Sequence, residues 1–168
     1  MAIHSKIFVS TISLLFFCHV VYGQKNDQVI PKKHLTVFQI DSICKFIDEN
    51  KNLVEGIAEG EFYDQKGGWE TYDLKNKKMD TLFRIRHNSS TDLSYKTTYY
   101  YFNKKVIKAI VKIEDWNTGY SMKPVYFATY YFDDNEPLKV ENEESKYSTM
   151  SEILKQGQNY LTDFYNNL

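Results

Sequence analysis

The stretch from Tyr95 to Trp116 constrains the fold of this chain more than any other. It holds two runs of β-branched and aromatic residues, which suit a pleated and half-buried surface, on either side of the short polar break Asn103–Lys105. In the second run, apolar residues recur with a period of two, which a helix does not keep. The pattern therefore predicts a β-hairpin. Its second strand is expected to alternate between two faces, with Ile107, Ala109, Val111 and Ile113 on one and Val106, Lys108, Ile110 and Lys112 on the other.

The first 23 residues have the layout of a secretory signal peptide. A short polar start with Lys6 precedes the largely apolar run Ile7–Val21, and Gly23 is the small residue before the chain turns polar. The run is shorter than the roughly 20 apolar residues of a membrane-spanning helix. We therefore predict export to the periplasm or the extracellular space, with cleavage after Gly23 and no stable membrane span afterwards. Retention of the segment as an anchor is the alternative.

Length and charge bound the mature chain. Removal of the signal leaves 145 of 168 residues, the usual size of one domain, and we expect a flexible lead-in over 24–35 and a single domain over 36–168. The formal charge of −1 becomes −2 without Lys6, so we expect no nucleic-acid partner, which would require a strongly basic face. Cys44 is the one cysteine left, and the fold therefore cannot rely on an internal disulfide.

Two segments have the signature of amphipathic helices. Each begins with a capping box, the first from Thr36 to Gln39 and the second from Thr149 to Glu152, and continues with apolar residues at three- and four-residue spacing. Gly157 weakens the second helix by about 1 kcal/mol relative to alanine. The segments between the two helices alternate like strands. The sequence therefore predicts an α+β fold, an antiparallel meander of about six strands with an N-terminal and a C-terminal helix packed on the sheet.

Two parts of the sheet region are similar in sequence, and we call this similarity the internal echo. Tyr99–Phe102 and Tyr130–Phe132 are each followed by a polar turn and an aliphatic run with a lysine, so a duplicated hairpin is one hypothesis and the general likeness of aromatic hairpins is the other. With the N-terminal helix and a Gly-Gly-Trp-Glu-Thr-Tyr turn and strand, this layout resembles small uncharacterised exported proteins of Gram-negative bacteria over roughly residues 36–143. The resemblance implies no activity and no site residues.

Nucleophilic and metal chemistry have few candidate residues. Cys44 falls on the apolar stripe of the first predicted helix, where a free cysteine behaves as a small buried hydrophobe, and nothing in the sequence brings His34 or His87 to it. The two histidines do not have the spacing of a zinc site. The run Asp133–Glu136 lacks the ligand pattern of an EF-hand, and we interpret it as a hairpin turn. We expect no catalytic residue of these kinds, no metal and no cofactor.

Carboxylates are the remaining candidates for catalysis. Glu59 and Glu61, like Glu141 and Glu143, are two positions apart and therefore fall on one face of a strand. A glycosidase needs two carboxylates roughly 5 to 10 Å apart in a cleft, which sequence spacing does not establish. A carboxylate-dependent hydrolase that uses Glu59, Glu61 or Glu141 is therefore a weaker functional hypothesis than a binding domain or a carrier of an apolar ligand.

The Tyr-rich hairpin supplies a candidate binding face. Aromatic rings with hydrogen-bond donors beside them suit recognition of glycans or proteins. The alternative is a face covered by a helix, with lysine stems lying over the tyrosines. The length of the turn decides whether the lysines lie beside these tyrosines or beside Tyr100. The candidate face consists of Tyr95, Tyr99, Tyr101, Lys108 and Lys112.

The leading functional hypothesis is an exported, non-enzymatic binding or interaction domain with an unidentified protein, glycan or lipid ligand. It follows from the Tyr-rich sheet and from the lack of a recognisable catalytic pattern. The alternative is a carrier of an apolar, lipid-type ligand. The two hypotheses differ in whether a curved sheet encloses a cavity.

Overall fold

The alternating segments form one antiparallel sheet. The computed structural model describes residues 34–64, 66–115, 123–142 and 148–168. The strands are β1 Val54–Glu61, β2 Gly68–Lys75, β3 Leu82–Ser90, β4 Leu93–Phe102, β5 Lys105–Asp115, β6 Lys123–Asp133 and β7 Glu136–Glu141. Each strand pairs with the next along the chain, and in the described residues β1 and β7 are the two edges of the sheet. The predicted α+β meander is confirmed, with seven strands rather than about six.

One helix precedes the sheet and one follows it. Helix α1 spans Val37–Glu49 and helix α2 spans Met150–Asn166. Both begin at the predicted capping boxes: the hydroxyl of Thr36 accepts a hydrogen bond from the backbone N–H of Gln39, whose side chain accepts one from the backbone of Thr36. Thr149 and Glu152 make the same pair of bonds. These bonds satisfy amides that the first turn of a helix leaves unpaired.

The two helices pack on opposite faces of the sheet. The side on which α1 packs, called the α1 face, has a small core made of Ile40, Cys44, Ile47, Tyr100, Ile107 and Tyr131. The opposite side, called the α2 face, has a larger core made of Ile153 from α2 and, from the strands, Leu82, Ile85, Tyr99, Tyr101, Val106, Ala109, Val111, Ile113, Tyr126, Ala128, Tyr130 and Phe132. Consecutive strand residues alternate between these faces, so one aromatic run supplies both cores.

The β4–β5 hairpin has a tight turn and a bulge. Asn103 and Lys104 form the turn with φ of 50° and 59°, the left-handed values that a two-residue type I′ turn requires. A register shift between Tyr100 and Tyr101 leaves one extra residue in β5. As a result Val106 lies on the α2 face and Ile107 on the α1 face. This reverses the predicted faces of those two residues, because a bulge interrupts the period of two.

The β6–β7 hairpin repeats these features. Asp134 and Asn135 form its turn with φ of 55° and 65°, and its register shifts between Tyr131 and Phe132. Like Tyr100, Tyr131 belongs to the core of the α1 face. The echo between the two stretches of sequence therefore corresponds to two hairpins with the same turn and the same bulge position.

Helix α1 crosses the strands near the β4–β5 turn. Asp41 accepts a hydrogen bond from Nζ of Lys108 on β5 at 2.6 Å, and Asp48 accepts one from the hydroxyl of Tyr100 on β4 at 2.9 Å. Asp48 also forms an ion pair with Arg84 on β3. All three strand residues lie near the turn. In the part of the chain that the structure describes, the opposite end of the α1 face has no helix packed on it.

Several predictions concern residues outside the described ranges. These are the signal peptide over 1–23, most of the lead-in over 24–35 and Glu143, together with residues 117–121, for which the sequence predicts a loop. From the end of the predicted lead-in, Leu35 packs against the α1-face core and His34 Nδ1 lies 2.6 Å from Oδ2 of Asp133. Within the described ranges, neither helix combines the length and the apolar character needed to cross a membrane.

Candidate functional site

The tyrosines of the predicted binding face lie on the α2 face. Tyr99 and Tyr101 are fully buried, and their hydroxyls donate hydrogen bonds to Oε1 of Gln156 at 2.9 Å and to the backbone carbonyl of Gly157 at 3.0 Å. Tyr95 is four residues before Tyr99 on β4, so its side chain is on the same face, and it is 38% exposed. Burial raises the pKa of Tyr99 and of Tyr101 above the usual range. Both rings therefore anchor α2 to the sheet.

The lysines of that predicted face lie on the α1 face. Lys108 is directly opposite Tyr100 in the β4–β5 register, and its ammonium lies 5.0 Å from the ring centroid of Tyr131. Its side chain is 14% exposed and its charge is paired with Asp41. Lys112, two residues further along β5, is bound to Glu114 at 2.5 Å. The structure therefore does not bring Tyr95, Tyr99 and Tyr101 together with Lys108 and Lys112, because the register places Tyr100 beside the lysines.

The cysteine and the histidines also lie apart. Cys44 is buried beneath α1, and burial raises the pKa of its thiol to about 12, so the thiol is protonated at neutral pH. His87 is on the α2 face, where Nδ1 lies 2.8 Å from the hydroxyl of Thr71 and the ring lies 5.7 Å from that of Tyr160. Burial lowers the pKa of His87. His34 lies beside β6, so the three groups form no nucleophile and base.

A concavity lies at the end of the sheet that α1 leaves uncovered. It is an open cleft of about 730 Å³ formed by one end of the first four strands, and we call it the β1–β4 cleft. Its lining contains three carboxylates and one ammonium group. The lining residues are Glu59, Gly60, Glu61, Gly68, Trp69, Glu70, Asn88, Ser89, Ser90, Ser94 and Lys96.

Glu70 is a fixed anion in this cleft. Its Oε1 accepts a hydrogen bond from the Asn88 amide at 2.6 Å, and its Oε2 accepts one from the Tyr72 hydroxyl at 2.8 Å. The hydrogen bonds from Asn88 and from Tyr72 lower the pKa of Glu70, so it is ionised at neutral pH. Tyr72 is held in turn by the guanidinium of Arg86, which lies 4.6 Å from the centroid of its ring.

The ammonium of the cleft is already paired. Lys96 Nζ donates to Oε2 of Glu114 at 2.7 Å, and Lys112 binds the other oxygen of that carboxylate at 2.5 Å. These hydrogen bonds, from Lys112 first and then Lys96, lower the pKa of Glu114. In contrast, Glu59 and Glu61 form no ion pair with any described residue. The charge that the cleft offers to a ligand is therefore negative.

Trp69 borders the cleft, but its indole lies on the α2 face, on the other side of the sheet from Glu59, Glu61 and Glu70. Its indole lies against the backbone of Gly60, where an added Cβ would come within 2.9 Å of the ring. The ring of His87 stacks with the indole at a centroid separation of 6.4 Å. A glycine at position 60 is therefore what lets the indole lie flat on the edge strand, and the ring is held in place on both sides.

The third predicted carboxylate lies elsewhere. Glu141 is on β7, at the opposite edge of the sheet from Glu59 and Glu61. It pairs with Lys139 at 2.5 Å and lies 3.4 Å from the hydroxyl of Tyr131. Glu59 is instead directly opposite Glu70 on β2. The carboxylates that come together are therefore Glu59, Glu61 and Glu70.

A second, smaller concavity is apolar. It is an open groove of about 270 Å³ between α1 and the sheet. Four of its lining residues are large apolar side chains from α1 or the neighbouring strands. The lining residues are Ser42, Ile43, Phe46, Ile47, Phe83 and Phe102.

No described cluster suits a metal ion: within the ranges that the structure covers, no three His, Cys, Asp or Glu side chains come together in an arrangement that would hold one. In the Asp133–Glu136 segment, Asp133 contacts His34 and Asp134 pairs with Lys105. Comparison with protein-family models, with curated proteins and with solved structures gives no match.

Sequence reasoning singled out Glu59 and Glu61 but missed Glu70, Asn88 and Lys96. The latter three stand in one row across the sheet, since Glu70 is opposite Asn88 and Asn88 is opposite Lys96. The signal for such a row is polar residues at alternate positions of neighbouring strands. Such a row can be recognised only when the register between the strands is known. The polar segment between β2 and β3 does not determine that register from the sequence alone.

Proposed function

We propose that this chain is an exported, non-enzymatic binding domain that takes a positively charged ligand in the β1–β4 cleft. The observation that carries the proposal is the pair Glu59 and Glu61, two exposed carboxylates without a described ion-pair partner at the mouth of a cleft whose deeper carboxylate, Glu70, is held rigid. Fixed polar groups in a concave surface are typical of small-ligand and peptide sites. Export rests on the sequence of residues 1–23.

The ionised state of Glu70 argues for binding rather than hydrolysis. A glycosidase needs one carboxylic acid with a raised pKa to protonate the leaving group. The hydrogen bonds from Asn88 and Tyr72 lower the pKa of Glu70, so this group is an anion and not a proton donor at neutral pH. The directly opposite Glu59 stands beside it on the same wall of the cleft rather than across a substrate.

The shape of the sheet argues for binding at a surface rather than for carriage of a lipid. In the described residues the sheet is open, with β1 and β7 at separate edges, and a helix packs on each face. The apolar groove beside α1 is open and holds about 270 Å³, below the usual range of drug-sized ligand pockets. The β1–β4 cleft is larger and contains three carboxylates, so its charge favours a cationic ligand.

Titration with small cations, followed by the backbone amide resonances of the protein, tests the proposal. The probes are spermidine and trilysine, with neutral chitotriose and phospholipid vesicles as ligands of other classes. We expect both cations to shift the amides of residues 59–61 and 68–70, and added salt to weaken the effect because it screens exposed charges. Shifts spread evenly over the surface, or a response to chitotriose or vesicles alone, would overturn the proposal.

A matched pair of variants locates the charge. Glu59→Gln with Glu61→Gln removes the two unpaired carboxylates while keeping the shape of the side chains. Glu136→Gln removes an exposed carboxylate from β7, at the far edge of the sheet. We expect the double variant to lose most of the cation-induced shifts and Glu136→Gln to keep them. An effect of Glu136→Gln half as large as that of the double variant, which removes twice the charge, would mean that only the net charge matters and would contradict a site in the cleft.

A further inference from the structure

The pairing of β1 with β2 determines which backbone N–H and C=O groups of β1 point away from the sheet. Beyond the last register pair, Glu61 with Gly68, the N–H of Phe62 donates to the carbonyl of Gly67 at 3.2 Å. In an antiparallel ladder, residues that bond to the partner strand alternate with residues whose N–H and C=O point away. The even-numbered residues of β1 therefore bond to β2. The odd-numbered residues, among them Ile57 and Glu59, point their backbone groups outward, and no described strand lies on that side of β1.

The same odd-numbered residues carry the side chains of the α1 face. Glu55 marks this face, because its Oε1 binds Arg84 at 3.0 Å and Arg86 at 2.8 Å. Alternation along the strand places Ile57, Glu59 and Glu61 beside it. Ile57 is 65% exposed, and the two glutamates form no ion pair in the described chain. Open backbone groups and an uncompensated acidic row therefore occur on one set of residues.

We infer that β1 accepts an extended basic peptide as an added antiparallel strand. This rests on the proposed function and names the ligand class of the same cleft. A residue opposite Glu61 or Glu59 in such a strand has its side chain on the same face as the glutamate, with Cβ atoms roughly 5 Å apart, which suits an ion pair. Because the added strand runs antiparallel, it meets Glu61 first, then Glu59, then Ile57. The preferred pattern from N to C terminus is basic, any, basic, any, apolar.

Charge complementarity selects this occupant over a second copy of the chain. Two β1 strands paired edge to edge would bring three carboxylates from each copy to one face, and like charges directly opposite in a sheet are destabilising. Charged side chains on an edge strand oppose such self-pairing in general. A peptide with lysine or arginine at alternate positions is instead attracted by the carboxylates of β1. Main-chain bonds then give affinity and the alternate side chains give specificity.

Two peptides with the same charges separate strand addition from simple cation binding. One is the acetylated, amidated hexapeptide lysine-threonine-lysine-threonine-valine-threonine. The other has the same sequence with methyl groups on the backbone nitrogens of the second lysine and the valine, two of the three nitrogens that face β1. Calorimetry on the full chain is expected to show binding at least about tenfold weaker for the methylated peptide, since two hydrogen bonds are lost. Equal affinity for both would overturn strand addition while leaving the cation-binding proposal intact.

Charge and self-association controls complete the test. A peptide with glutamate in place of both lysines is expected not to bind, and Glu59→Gln with Glu61→Gln is expected to weaken the lysine peptide by about three- to tenfold, the effect of two cross-strand ion pairs. Tight binding of the glutamate peptide would overturn the inference. So would a dimer that dissociates when peptide is added, because β1 would then be occupied by a second copy. If neither spermidine nor peptide binds, the proposed function fails as well.

Discussion

Buried tyrosine hydroxyls make the stability of this protein sensitive to alkaline pH. Tyr99, Tyr100 and Tyr101 are buried, and burial is the first cause that raises the pKa of each phenol, with a hydrogen bond to Asp48 adding to it for Tyr100. In the unfolded chain these phenols ionise near pH 10. Above that pH the unfolded state binds fewer protons than the folded state. The stability that these three residues contribute is therefore fully present below about pH 10 and is lost as the pH rises further.

The loss of stability at alkaline pH gives a prediction for variants that lack one tyrosine hydroxyl. Three retained protons lower the free energy of unfolding by up to about 4 kcal/mol per pH unit above pH 10. Tyr99→Phe removes one of them, so the slope is expected to fall by about 1.4 kcal/mol per pH unit. Tyr63→Phe, at a fully exposed tyrosine, is expected to leave the slope unchanged. Urea denaturation between pH 8 and pH 11 measures it, and equal slopes for Tyr99→Phe and the unaltered chain would contradict the account.

Residue types were easier to predict than residue positions. The burial of Cys44 followed from its place on the apolar stripe of a helix, and the structure confirms it. The grouping of Tyr95, Tyr99 and Tyr101 with Lys108 and Lys112 required the register, which a single residue of turn length changes. The structure pairs Tyr100 with Lys108 instead, so the five residues fall on opposite faces.

At the scale of the element, Gly157 sets how closely α2 approaches the sheet. An added Cβ would lie 2.7 Å from Cδ1 of Tyr99 and 3.0 Å from Cγ2 of Val106, both fully buried. The carbonyl of Gly157 also accepts the hydrogen bond from Tyr101. The sequence predicted a weak point in the helix at this glycine. The structure adds the reason, because only a residue without a side chain lets the helix lie on the tyrosines.

Gly157→Ala is therefore expected to destabilise the protein. Alanine adds about 1 kcal/mol of helix propensity, but overpacking a well-packed core typically costs 1–3 kcal/mol, and the fully buried Tyr99 has little room to move. We expect a net loss of about 1 kcal/mol in the free energy of unfolding, measured by urea denaturation. Asn159→Ala, at an exposed position two residues along the same helix, is the control and is expected to be neutral or slightly stabilising. A stabilised Gly157→Ala variant would contradict the close approach.

Element boundaries and faces differ in how far local sequence determines them. The capping boxes at Thr36 and Thr149 act within four residues, so both helix starts could be predicted. The bulge opposite Tyr100 depends on how two strands and a turn fit together, and it moved Val106 and Ile107 to the faces opposite to those predicted. The placement of the two helices on opposite faces is set by the packing of the whole sheet.

At the scale of the molecule, the two faces and the two edges of the sheet are unequal. Helix α1 covers the α1 face near the β4–β5 turn, and the β1–β4 cleft lies toward the other end. One edge, β7, contains Pro137, which has no N–H to offer a further strand. The other edge, β1, has outward N–H groups on its odd-numbered residues. The end of the sheet bounded by β1 is therefore where we place recognition of a ligand.

Residue-resolved hydrogen exchange along β1, with and without the basic hexapeptide, tests this claim most directly. In the peptide-free protein we expect the amides of Ile57, Glu59 and Glu61 to exchange rapidly, and those of Ala58 and Gly60, which bond to β2, to be protected. Saturating peptide is expected to protect the first set as well. Equal protection of both sets before peptide is added, or rapid exchange of the first set at saturation, would contradict a strand-accepting edge at β1.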